Sequence, residues 1–263
     1  MRKSILGLSA SMLVGALAAV SAPALAQDAA ATPDLTVTGN AAVVTDYRFR
    51  GISQTDKRVA LQGGITVTHS SGFYVSTWGS SIDDYVANGG DQELDLIAGY
   101  SKTVSGITFD GGVLYYYYPG SHGANTDFFE PYASVKGTFG PATAKVTVNY
   151  APKQHALSFS GSAPREDNVY LAGDLSASIP KTPLGVSAHL GHDFGPSYLT
   201  FGTKSYTDWN IGATYTWSHL TFGVSYVDTN KNFIASYVSA DGTARTTRNL
   251  SKGGVVGSIT ASF

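Results

Sequence analysis

The sequence predicts an all-β chain: a transmembrane, antiparallel, up-and-down β-barrel of about twelve strands. Three observations lead there. Long segments alternate apolar and polar residues, the connections between them alternate short and long, and aromatic residues gather at the segment ends. Leu35–Arg50 shows the alternation best. Its odd positions run Leu35, Val37, Gly39, Ala41, Val43, Thr45, Tyr47 and Phe49, while its even positions become polar and end in Asp46, Arg48 and Arg50. A period of two puts these sets on opposite faces of one strand.

The same pattern predicts strands near 35–50, 58–69, 72–82, 92–103, 106–118, 126–139, 141–151, 167–180, 183–193, 207–218, 219–228 and 251–263. Strands of about ten residues match a tilted bilayer crossing. Tight turns are expected at His69–Gly72, Val104–Gly106, Gly140-Pro141, Pro180–Pro183 and Ser218-His219. Between them fall longer polar stretches: Gly51–Lys57, Asp83–Asp91, Pro119–Asn125, Pro152–Glu166, Phe194–Tyr206 and Thr229–Leu250. Membrane barrels sort their connections this way, with short turns on the periplasmic side and long loops outside. A soluble sandwich has no reason to do so.

On the apolar parity, Tyr47, Phe49, Tyr115, Tyr117, Phe129, Tyr150, Trp209 and Tyr226 fall near the expected outer end. Phe73, Tyr100, Phe109, Tyr215, Trp217, Phe222 and Phe263 fall near the periplasmic end. Rings at both ends of an aliphatic band are expected at two membrane interfaces. A sandwich core would concentrate them at strand centres.

The N-terminus carries Arg2 and Lys3, an apolar run Ile5–Val20 and the small-residue site Ala24-Leu25-Ala26. Residues 1–26 are therefore expected to be a secretory signal peptide, residues 27–34 a short tail and residues 35–263 the barrel domain. Export to the cell outer membrane follows as the expected location. No later apolar run approaches the roughly 20 residues of a spanning helix. Two of the 17 basic residues leave with the signal against none of the 19 acidic ones. The mature chain is then mildly acidic, which makes nucleic acid an unsuitable partner. With no cysteine, the exported chain must rely on its backbone ladder and packing. No cofactor is implied.

The runs TDYRFRGISQTD (Thr45–Asp56), ALQGG (Ala60–Gly64), SGFYVSTWGS (Ser71–Ser80), ELDLIAGY (Glu93–Tyr100) and GVLYYYYPG (Gly112–Gly120) occur in order. In these runs the chain resembles the TorF family of porin-like proteins. That resemblance implies an outer-membrane barrel passing small solutes, with neither an established substrate nor a catalytic set. The terminal strand ends on Phe263, which resembles the signal read by the barrel-assembly machinery. Outer-membrane lipid and small polar solutes are the other expected partners.

Strand parity nominates lumen and constriction residues: Asp46, Arg48 and Arg50 on the first strand, Glu93 and Asp95 on the fourth, Asp110, Tyr116 and Tyr118 on the fifth. Glu130 with Tyr132 and Lys136 lies on the sixth, Lys145 and Asn149 on the seventh, Asp174 on the eighth, His189 and Asp193 on the ninth. Charges at membrane depth must meet water or one another. Two readings stay open: arginines and carboxylates on opposed walls filter solutes, or Arg48 and Arg50 pair with Glu93, Asp95 or Glu130 and brace the wall. Tyr116 and Tyr118 either stack on a solute or fill space.

The function expected is passive diffusion of small hydrophilic solutes or ions, without enzymatic activity. The alternative is a structural or adhesive barrel with a filled lumen. Small inward positions such as Gly99, Gly112, Ser134, Thr147 and Ser176 favour the open one. A lipid-modifying enzyme needs a Ser-His pair with an orienting acid. His192 has Asp193 pointing the opposite way, and no GxSxG elbow exists. No metal-ligand spacing occurs, and Asp83, Asp84 and Asp91 read as solvated loop acids.

Overall fold

The computed structural model describes residues 34–158, 165–238 and 245–263; the signal-peptide assignment falls outside them. In chain order the strands are β1 Leu35–Val44, β2 Arg48–Phe49, β3 Ile52–Ser53, β4 Ala60–His69, β5 Phe73–Ser81, β6 Gln92–Val104, β7 Ile107–Tyr117 and β8 Phe128–Phe139. They continue as β9 Ala142–Ala151, β10 Asn168–Ser178, β11 Leu184–Phe194, β12 Ser205–Trp217, β13 Leu220–Thr229, β14 Ile234–Val238, β15 Arg245–Asn249 and β16 Gly254–Ser262. β1, β4 to β13 and β16 form a closed antiparallel barrel in which each strand pairs with its chain neighbour. β2–β3 and β14–β15 are separate two-stranded hairpins set in the first and last long loops. Among the described residues no helix is long and apolar enough to cross a membrane. This is a transmembrane barrel of twelve staves.

The wall follows from the alternation. Along β9, Val146, Val148 and Tyr150 are exposed on the outer surface while Thr147, Asn149 and Ala151 are buried within. The apolar set meets lipid, the polar set turns inward, and a closed ladder leaves no backbone group unpaired in lipid. The turns are as tight as the spacing demands. Ser105 and Gly106 both take positive φ, 52° and 85°, the two-residue turn whose twist matches antiparallel strands. Exposed rings mark both ends of the outer surface, with Tyr115, Tyr117, Phe129, Tyr150 and Tyr226 at one and Phe73, Phe109, Tyr215, Trp217 and Phe263 at the other.

The seam joins β1 to β16, Asn40–Val44 against Ser258–Ser262. One residue beyond, Gly39 and Phe263 exchange backbone hydrogen bonds of 2.8 and 3.0 Å. A Cβ on Gly39 would stand 2.6 Å from the Phe263 ring, so only glycine lets the terminal ring lie over the seam.

The first stave departs from expectation. It ends at Val44, not near Arg50. Thr45 makes the last tie to the wall, its N–H donating to the Gly257 carbonyl at 2.9 Å. Asp46 onward leaves the sheet and turns into the bore.

Gly39→Leu should weaken the seam. Heat-modifiable mobility of the refolded barrel on gels should vanish at a lower temperature than for the parent, whereas Gly173→Leu, in open space, should leave that temperature in place.

Candidate functional site

The sequence Arg48-Phe49-Arg50-Gly51-Ile52-Ser53 forms a hairpin inside the barrel mouth. Arg48 pairs with Ser53 and Phe49 with Ile52. Arg50 and Gly51 have φ of 47° and 79°, the pair of positive values a two-residue hairpin turn needs. Gly51 suits this geometry; Arg50 does not, because a side chain in the left-handed region costs energy. Its guanidinium supplies the compensation.

Arg50 Nη2 donates to Glu130 Oε1 and Oε2 at 2.7 and 2.8 Å. Nη1 donates to Asp193 Oδ2 at 3.0 Å and to Asn168 Oδ1 at 3.2 Å. The guanidinium lies 4.3 Å over the Tyr170 ring and 4.9 Å from that of Phe49. Tyr116 donates to Glu130 Oε2 at 3.0 Å, and Tyr206 donates to the Arg50 carbonyl at 3.0 Å. Side-chain exposure is 2% for Arg50 and 0% for Glu130 and Asp193. The groups that accept from or stack on its guanidinium across the bore sit on β8, β10 and β11, on the far side of the ring from β1, so the Arg50 side chain reaches over the bore. The tip is pressed against the wall: a Cβ on Gly51 would lie 2.5 Å from Thr229 Cγ2.

Arg48 braces the hairpin from within the loops. Its Nε donates to Asp46 Oδ2 at 2.6 Å, and its Nη groups donate to the carbonyls of Gly51, Leu250 and Lys252 at 3.0 to 3.3 Å. Asp46 also accepts from Ser53 Oγ at 2.6 Å. Tyr47 and Phe49, expected at the outer-surface interface, are inside. Tyr47 donates to Glu93 Oε1 at 2.7 Å and packs edge-on against Trp78, and Phe49 packs edge-on against Tyr116. The inversion has a simple cause. Once the chain leaves the wall, strand parity no longer assigns lipid to odd positions.

The outer loops lie over the hairpin. Tyr85 donates to the Ser53 carbonyl, and Arg58 pairs with Asp83 and Arg248 with Asp56. Ile52, Tyr206, Phe233 and Leu250 make a small buried cluster with Tyr85 and Phe201 against it. Burial favours the neutral form of Asp83, yet hydrogen bonds from Asp84 and Arg58 hold its carboxyl below the ordinary value; Asp84, hydrogen-bonded to Asp83, is raised.

The remaining sequence candidates fall at two levels. Glu93, Asp95, Tyr116, Tyr118 and Glu130 are buried around the hairpin. Lys145 and Asp174 lie further towards the short turns as register partners, and do not join the Arg50 network. Asp174 instead faces His189 Nδ1 at 2.7 Å. Arg48 meets none of Glu93, Asp95 or Glu130. The sequence candidates omitted Asn168 and Tyr170, and Asp193 was placed on its strand without a role. The legible clue was Arg50-Gly51 between Arg48-Phe49 and Ile52-Ser53, a short hairpin signal at the end of a strand.

A closed barrel with a polar interior and an inserted loop defines the class: a transmembrane barrel of outer-membrane type. The chain belongs to the Gcw_chp family, described as bacterial proteins of unknown function, whose model matches residues 28–263. No curated protein matches it. Among solved structures, the NanC porin is similar with 11% identity and a TM-score of 0.52, covering 87% of this chain and 99% of that one. A barrel solved in a study of in-meso crystallization of membrane proteins has the same identity and TM-score, over 86% of this chain and 83% of its own. The COG4313 outer-membrane channel from Pseudomonas putida F1 shows 12% identity and a TM-score of 0.47, over 91% and 99%. The first two similarities show the fold.

Removing one partner of a buried ion pair leaves a stranded charge and costs about 3–5 kcal/mol. Arg50→Ala should therefore unseat the hairpin while the staves stay closed. Proteolysis should then cut near Gly51 in the variant and spare that bond in the parent, with β-sheet circular dichroism retained in both.

Proposed function

We propose that this chain is an outer-membrane channel for small hydrophilic solutes or ions, a porin-like protein of the TorF type, and not an enzyme. The observation that carries this reading is the interior wall. Thr147 Oγ1, both amide atoms of Asn149, Asn210 Oδ1 and Ser258 Oγ are buried without protein partners. Buried polar atoms are nearly always hydrogen-bonded, so such a wall is one that water or solute wets. In this reading the bore is narrowest at the Arg48–Ser53 hairpin, and Asp46, Arg48, Arg50, Glu93, Asp95, Tyr116, Tyr118 and Glu130 surround the constriction. Arg50 braces it, since both of its terminal nitrogens are met by carboxylates.

Insertion in the outer membrane follows from the apolar outer surface and the expected signal peptide, with Phe263 presented to the assembly machinery. Catalysis has little to work with: His192 bonds Thr207 Oγ1 at 2.8 Å and packs on Phe194, and His189 sits between Asp174 and Asp208. Neither arrangement offers an activated nucleophile.

A second reading has its own support. Tyr47, Trp78, Tyr116, Tyr118, Phe128 and Leu157 pack into one buried cluster within the outer half, which suits a filled, structural barrel. Planar-bilayer recording separates the two. The refolded parent should give small discrete steps, and a variant with residues 47–54 replaced by a short glycine-serine link should give steps several-fold larger. Silence from both proteins over a range of salts would favour the filled barrel.

A further inference from the structure

Below the hairpin, β8 and β9 place Lys136 and Lys145 directly opposite one another, both on the inward parity. Like charges in facing positions of an antiparallel pair repel. Among the described residues no carboxylate lies within ion-pair distance of either ammonium, and neither makes a hydrogen bond. The acids nearby, Asp110 and Asp174, make their direct contacts with other side chains and act on the lysines only through space. Asp174, the register partner of Lys145 on β10, faces His189 Nδ1 at 2.7 Å. Asp110 accepts from Tyr74 at 2.9 Å.

The next inward pair towards the outer end is Ser134 and Thr147, again opposite one another. Thr147 is 2% exposed and its Oγ1 has no partner. One step further, Asn149 is fully buried with neither amide atom partnered. Two ammoniums without a hydrogen bond or direct ion pair, a hydroxyl and a carboxamide thus share one stretch of inner wall, with Asp110 and Asp174 beyond ion-pair distance beside them. Donors of this kind match the oxygens of a carboxylate or phosphate, and charge-assisted bonds from two lysines would turn their mutual repulsion into shared attraction.

We propose that the β8–β9 inner wall is an oxyanion subsite, in which Lys136 and Lys145 together hold the carboxylate or phosphate group of a small solute, with Thr147 and Asn149 beside it. The subsite rests on the channel reading for the route by which its ligand arrives. It adds a preference that the hairpin, whose Arg50 is already neutralised by Glu130 and Asp193, does not provide.

The test uses the refolded full-length barrel in detergent, titrated with inorganic phosphate and separately with acetate, alongside bilayer recordings in a potassium chloride gradient. Lys136→Gln with Lys145→Gln should weaken oxyanion binding by about tenfold or more and move the reversal potential towards cation preference. Lys136→Arg with Lys145→Arg should keep both, which separates charge from folding. Tighter binding of phosphate or of acetate assigns the group. Binding lost in the glutamine variant without channel steps in the parent would uphold the subsite and overturn the channel. Steps in the parent, with binding and reversal potential indifferent to the glutamines, would overturn the subsite and leave the channel standing. Absence of oxyanion binding by the parent would also overturn it.

Discussion

The guanidinium of Arg50 is the contact on which the interior depends. A cation taken out of water is costly unless its surroundings return what hydration gave. Here Glu130, Asp193 and Asn168 accept its protons and Tyr170 offers a ring face. Those partners come from three staves on the far side of the barrel. One side chain therefore ties a loop that begins at β1 to the opposite wall, and offsets an unfavourable backbone conformation at its own Cα.

This arrangement divides the bore by chemistry. Around the hairpin the wall is acidic and aromatic, with Glu93, Asp95, Glu130, Tyr116 and Tyr170 packed against Tyr47 and Phe49. Towards the short turns it is hydroxylic and mixed in charge, with Thr147, the facing pair Lys136 and Lys145, and the acids Asp110 and Asp174 beside them. On the proposed reading, the hairpin would set the width of the channel, because its side chains fill space and its charges are matched in place. The lower wall would on that reading set preference, because Lys136 and Lys145 make no direct ion pair there.

Much of the fold was legible in the sequence because a wall stave is specified locally. Alternation sets the face, residue number sets the crossing, and turn residues such as Ser105-Gly106 set the register. Hence the twelve staves, and the inward placing of Glu93, Glu130, Lys145 and Asp174, follow from parity alone. The hairpin was less legible. Residues Asp46–Phe49 continue the alternation of β1, since a chain extended across the bore has the same local period as one in the wall. What decides between them is tertiary: Arg50 finds carboxylates only by leaving the sheet. The partners Asn168 and Tyr170 lie more than a hundred residues away, and nothing local in either marks that meeting.

The central claim is that the Arg48–Ser53 hairpin is folded into the bore with its tip against β13 and the Arg50 side chain reaching the far wall. The chain has no cysteine, so a single introduced pair reports cleanly. Gly51→Cys with Thr229→Cys brings two sulfurs within bonding reach. Oxidation of the folded barrel should form that disulfide in nearly every molecule, read as loss of both thiols and as a joined fragment after cleavage between the two positions. Free thiols on a folded, oxidised barrel would contradict the inserted hairpin and the account built on it.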